Sequence, residues 1–323
     1  MIAFFANIFG YILNFLYELV GNYGIAIILF SILVKLLMVP ISIKQQRTMK
    51  KSQKLNEEMK NIQFKYKSDP EKMNQEVMAL YKREKMSPFS GCLSAIIQII
   101  LLFSVFYMVR SPLTYMRKVD PELIEDAKTI VEKDGNISSY KEIAIINYIN
   151  NIENNFNNKE KKINIQENDI KDENRLTEEG NKEFSILEYK DKLYINMNFL
   201  GLDLSKVPKE NLYDWKVLII PILYVISSFI SMRLTSVSTS KKKQKEKLLT
   251  DGSGENDQNE YDPMEQTNKS MSLLMPIMSI SIAYIAPLGL ALYWLMNNIL
   301  MITERKIIDK FIIKEEMEAK DNA

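Results

Sequence analysis

Residues 23–43 read YGIAIILFSILVKLLMVPISI, a run of 21 residues with a single charge, Lys35. At about 1.5 Å per residue, a helix of this length crosses ~30 Å of hydrocarbon. The run therefore points to a membrane protein, and Lys35 becomes the anomaly within it. A lysine at the centre of a spanning helix costs roughly 2.5–3.5 kcal/mol on insertion scales, and such residues face a polar cavity or a partner. Two readings compete. In one, Lys35 snorkels: it lies nearer the end that runs into Lys44 and Arg47, and its stem carries the ammonium toward that interface. In the other, the chain builds a water-filled pocket inside the bilayer that needs a positive charge.

The rest of the chain alternates in the same way. Its 42 basic and 41 acidic residues nearly cancel over 323 positions, but long uncharged runs are separated by highly charged stretches, the pattern of a polytopic membrane protein. Histidine is absent, which removes imidazole from acid–base chemistry and metal ligation. Cys92 is the single cysteine, so there is no internal disulfide and no multi-cysteine metal site. No phosphate-cradling loop and no HExxH motif occurs. The chain is therefore expected to be no enzyme and to need no cofactor or metal.

Five passes are expected: 23–43, 86–110, 215–234, 271–286 and 287–303. The last two come from one uncharged run, 271–303, which is 33 residues long. That is too long for one ordinary pass. Pro287-Leu288-Gly289 stands in its middle, where proline removes a backbone donor and glycine tolerates a reversal. Two short helices are favoured over one kinked helix. Residues 44–85 hold twelve basic against six acidic residues, and 111–214 hold fifteen basic against twenty-one acidic. The positive-inside rule then places the N-terminus outside, 44–85 in the cytoplasm and the C-terminal tail, 304–323, in the cytoplasm as well.

Outside the passes, residues 1–22 carry Asn7, Asn14 and Glu18 on one helical face among large apolar residues. This suggests an amphipathic helix lying in the outer interface rather than a signal peptide or a sixth pass. Residues 44–85 are expected to form a cytoplasmic helical hairpin, with Ser68-Asp69-Pro70 starting its second helix. In the extracytoplasmic segment 111–214, helices are expected from Asp120-Pro121 to about Lys133 and over 139–152. A mobile Asn-, Glu- and Lys-rich stretch is expected over 153–183, and a strand hairpin around Tyr189–Lys192. Residues 235–270 read as a disordered cytoplasmic linker.

Four strings carry a resemblance: VGNYGIAIILFSILVKLLMVP at 20–40, MALYKREKMSPFSGCLSAIIQI at 78–99, NFLGLDLS at 198–205 and PLGLALYWLMNN at 287–298. In content and order they resemble the YidC-type membrane protein insertases. The resemblance implies an all-α membrane protein. Its five transmembrane helices surround a hydrophilic groove open to cytoplasm and lipid, with an interfacial amphipathic helix and a cytoplasmic helical hairpin. It implies insertion and chaperoning of newly made proteins in the bacterial cytoplasmic membrane. Nascent membrane proteins and the lipid bilayer are the partners; the Sec translocon, the ribosome and targeting machinery are candidates, and no specific nucleic acid is expected. The family usually places arginine where this chain has Lys35, so charge is kept but the planar two-pronged fork is lost. Further groove candidates are Ser31, one helical turn before Lys35; Ser94 and Gln98, one turn apart in the second pass; and Trp294, Asn297 and Asn298 in the last. Trp294 matches the family's groove-lining aromatic. For the other five, the competing role is hydrogen bonding between helices to hold the bundle. A secondary transporter, a membrane enzyme and a pure assembly scaffold are the alternative functions; one deep charge and no internal repeat disfavour the transporter.

Overall fold

The computed structural model describes residues 1–84, 90–133, 138–163, 189–247 and 280–321, and these are overwhelmingly helical. The helices are α1 (Ile2–Val20), α2 (Tyr23–Lys65), α3 (Pro70–Arg83), α4 (Ser90–Arg110), α5 (Pro121–Lys133), α6 (Lys141–Ile163), the single turn α7 (Lys190–Leu193), α8 (Ile219–Lys247) and α9 (Leu288–Asp321). A helical segment over 280–285 precedes α9. Three stretches among the described residues are long and apolar enough to cross a membrane: Ile2–Val20, Tyr23–Thr48 and Trp215–Arg233. Length and composition thus admit α1 to the same class as α2. The chain divides into two compact units. One holds Met1–Phe5, Leu33–Ser104 and Thr303–Ala323; the other holds Ala6–Ile32 and Val105–Ile302.

In the second of these units, α1 buries one face through Ala6, Phe9, Gly10, Leu13 and Tyr17. Gly10 is there because nothing larger fits: a Cβ would stand 1.9 Å from the Tyr115 carbonyl oxygen. The polar residues of α1 are pinned to the turn that follows α4. Glu18 pairs with Arg117, Asn7 accepts from Lys118, and the Arg117 guanidinium lies over the Tyr17 ring at 5.0 Å. The polar stripe of α1 therefore has protein partners as well as any headgroups. Gly21, at φ +64°, ends the helix in the left-handed conformation that glycine adopts freely. Asn22 then starts α2, its Oδ1 accepting from the Ile25 amide at 3.1 Å while its Nδ2 donates to the Asn198 carbonyl at 2.7 Å.

That carbonyl belongs to a small antiparallel hairpin, β1 (Asn198–Phe199) with β2 (Leu202–Asp203). Leu200 and Gly201 join the strands at φ 52° and 78°, the positive-φ pair of a type I′ turn. The expected hairpin around Tyr189–Lys192 is not found; the helical turn α7 occupies that place. The physical reason is the turn residue. Gly201 takes positive φ without cost, whereas Tyr189-Lys190-Asp191-Lys192 contains no glycine. Two further boundaries also differ. Helix α6 continues to Ile163, past the expected end at 152, and α8 stays helical to Lys247, into the stretch read as linker. The remainder of 153–183 and of 235–270, and most of 271–286, lie outside the described residues.

The break before α9 falls at Ala286-Pro287. The first amides of a helix have no partner of their own. Here Leu288 donates to the Lys206 carbonyl and Gly289 to the Leu204 carbonyl, each at 3.0 Å. The loop after β2 thus caps the last helix from outside it. On α6, Glu142 is buried and accepts from both the amide (3.0 Å) and the hydroxyl (2.6 Å) of Thr114. Burial pushes its carboxyl above the usual range, and the Thr114 hydrogen bonds offset part of that.

In the other unit, α2 runs on without interruption to Lys65, so the apolar run and the first arm of the hairpin are one helix. The Asp69 side chain caps α3, accepting from the Lys72 amide at 3.1 Å. The two helices pack through Leu55, Met59 and Leu80, flanked by Ile62, Val77 and Tyr81, and an Arg83–Glu58 ion pair closes the exposed rim.

Replacing Gly10 with alanine must push α1 off the 115 backbone. The expected result is a destabilisation of about 1–3 kcal/mol from overpacking, read as a lower thermal midpoint of the purified protein in detergent. An unchanged midpoint would show that the close approach does not constrain the packing.

Candidate functional site

Lys35 lies one turn before Pro40 on α2, within the Tyr23–Thr48 apolar stretch. Its Nζ is 2.6 Å from Oε2 of Glu304 on α9, and the two side chains are only 18% and 10% exposed. The sequence reading treated Lys35 as the single deep charge; the structure gives it a carboxylate. The other oxygen of Glu304, Oε1, is buried and meets no hydrogen-bond donor among the described residues. The pair is shielded from water and half-satisfied. Coulomb attraction is stronger in such a setting than at a surface, and removing one member leaves the other as an uncompensated buried charge. Leu36 and Leu37, the next residues on α2, are exposed, so a shielded cation sits beside an accessible apolar flank.

Ser94 and Gln98 belong to α4 in this same unit, but their side chains lie outside those described. The other sequence candidates fall in the second unit. Ser31 is buried and donates to the Ile27 carbonyl at 2.7 Å, which satisfies it within its own helix. Trp294 is buried against Tyr224 of α8, with ring centroids 5.7 Å apart and planes tilted by 34°. Asn298 Nδ2 donates to the hydroxyls of Ser227 (3.1 Å) and Ser228 (2.8 Å) on α8. Asn297, its neighbour, is half-buried. Trp294 and Asn298 therefore join α9 to α8. For Asn298 this is the bundle-holding contact weighed above; for Trp294 it sets a ring stack beside the groove-lining role.

Four residues of this arrangement were missed: Glu304, Tyr224, Ser227 and Ser228. Glu304 had a signal. It is the first acidic residue after the uncharged run 271–303, and an intramembrane lysine calls for a partner of opposite sign. The two serines had none, because hydroxyls are common in spanning helices and their register against α9 is set by packing.

The chain resembles known proteins over most of its length. The family described as 60Kd inner membrane protein matches residues 15–174 and 182–316. A protein named membrane protein insertase YidC from Caldanaerobacter subterraneus subsp. tengcongensis is 38% identical over 109 residues, which is 34% of this chain and 53% of that one. Its namesake from Francisella tularensis subsp. novicida is 40% identical over 109 residues, 34% of this chain and 20% of the relative. The matched stretch thus spans about half the length of the first relative and a fifth of the second.

Asn298→Ala removes both donors to α8. The expected cost is about 1 kcal/mol, the scale of interhelical hydrogen bonds in membrane proteins, measured as a lower unfolding midpoint in detergent. A variant as stable as the parent would mean that the Asn298 contacts do not hold the two helices together.

Proposed function

This chain belongs to the 60Kd inner membrane protein family, and from that premise we propose that it inserts newly made proteins into the bacterial cytoplasmic membrane and chaperones their folding there. The observation that carries the reading is Lys35. A lysine held in an apolar stretch, shielded and already gripping a carboxylate, has the chemistry to receive an acidic segment on its way into lipid.

The physical task is to bring polar or acidic chain into hydrocarbon. A recess that holds water and one positive charge lowers that barrier, because the carboxylate exchanges bulk water for a cation instead of for lipid tails. The acidic tail of a client docks at Lys35 and its adjoining apolar helix lies along the exposed flank at Leu36 and Leu37. That helix then leaves for lipid, driven by ~0.8 kcal/mol per buried CH₂. Hydrocarbon burial supplies the free energy, so nucleotide is not required. Ser31, Ser94, Gln98, Trp294, Asn297 and Asn298 are the polar or aromatic lining of this groove in the proposal. In the proposal the N-terminus lies outside and the C-terminus inside, and the groove opens to the cytoplasm, as the family resemblance implies.

Exposed Phe64 and Met78 on the α2–α3 hairpin, set among its surplus of basic residues, suit it to meet the ribosome or the targeting machinery.

Reconstituted liposomes test the groove charge. With a single-pass client bearing an acidic tail, Lys35→Ala and Lys35→Glu are expected to lower insertion by about tenfold or more, equivalent to ~1.4 kcal/mol of lost attraction, while Lys35→Arg inserts normally. Full activity of both Lys35→Ala and Lys35→Glu would remove the role assigned to the charge. Replacing 50–83 with a short linker should cut insertion in cells while the protein still accumulates in the membrane; unimpaired insertion would count against the hairpin as a docking element.

A further inference from the structure

Lys35 is not waiting bare. Glu304 holds it from α9, 2.6 Å away, with both side chains largely withdrawn from solvent. A carboxylate offers about four lone-pair positions to donors. Of the two oxygens of Glu304, Oε2 takes the ammonium and Oε1 is buried with no donor among the described residues. An ammonium carries three donors in turn, more than one acceptor uses. The contact is therefore strong enough to occupy the cation, yet it leaves Glu304 short of the hydrogen bonds that would make it permanent.

We propose that Glu304 is a specificity-determining residue: a built-in counter-ion that occupies Lys35 at rest and that an incoming client must displace with a carboxylate of its own. This rests on the insertase reading above, with Lys35 as the point of client contact. The exchange swaps one ion pair for another, so the buried ammonium is never left alone. A neutral polar tail cannot make that swap. It leaves the Lys35–Glu304 pair closed and gains no cation. Glu304 thus raises the threshold for every acidic client, and a neutral client, which never takes the cation, inserts at the same level with or without it.

The test is insertion into liposomes of two clients identical except in the tail, one with aspartates and one with asparagines in their place. Glu304→Gln is expected to raise insertion of the acidic client by about threefold, the scale of losing one partly shielded charge competitor, with the neutral client unmoved. The acidic-to-neutral ratio is the readout. Glu304→Asp keeps the charge and the fold but shortens the reach, and should raise the ratio by a smaller factor; it decides the matter if Glu304→Gln fails to give a monodisperse protein. A ratio that stays level or falls in the folded variant, while Lys35→Ala is still defective, overturns this inference alone and makes Glu304 a packing partner. If Lys35→Ala inserts the acidic client normally, the premise fails and this inference with it.

Discussion

A polar group withdrawn from water must find a partner, and in this chain that requirement shapes the contacts in both units. Each backbone or side-chain donor left over in an apolar setting costs about as much as several good packing contacts return. The amides that open α9 are met by the Leu204 and Lys206 carbonyls. The Asn298 amide finds two serines, and Ser31 returns to its own helix. Lys35, the most expensive of these groups, is met by Glu304. These bonds say which helix face meets which, in a setting where apolar contact alone distinguishes poorly between faces.

The irregular segments between the helices serve the same requirement from the side. The hairpin at 198–203 holds Asn22 at the entry to α2, the loop after it caps α9, and the turn after α4 takes the polar residues of α1. The short irregular stretch from 198 to 206 therefore fixes the starts of both α2 and α9. Its shape depends on Gly201 and on Leu200, which accepts a positive φ that few leucines adopt.

Much of this could be read from the sequence, and the division follows physical lines. Helix starts and stops written in local chemistry were legible: Asp69-Pro70 before α3, Gly21-Asn22 between α1 and α2, Pro287 before α9. Each is decided by residues within one turn of the event. The family was legible too, because its strings are long and ordered. Features set by tertiary contact were not. The strand hairpin turns at Leu200-Gly201, where a glycine takes positive φ, and Tyr189–Lys192, with no glycine, opens a helical turn instead. The partner of Lys35 was hidden by sequence distance: α9 supplies it from 269 positions later.

The uninterrupted course of α2 has a mechanical side. From Lys35 to Lys65 it is one rod of about 45 Å at ~1.5 Å per residue, with the hairpin packed on its far end. A stiff rod turns a slight tilt at one end into a large excursion at the other, and transmits twist along its whole length. Pro40 is its one soft joint, since proline withholds the amide that would have bonded the Leu36 carbonyl. A bend of the rod at Pro40 would therefore fall five residues from Lys35, close to its contact with Glu304.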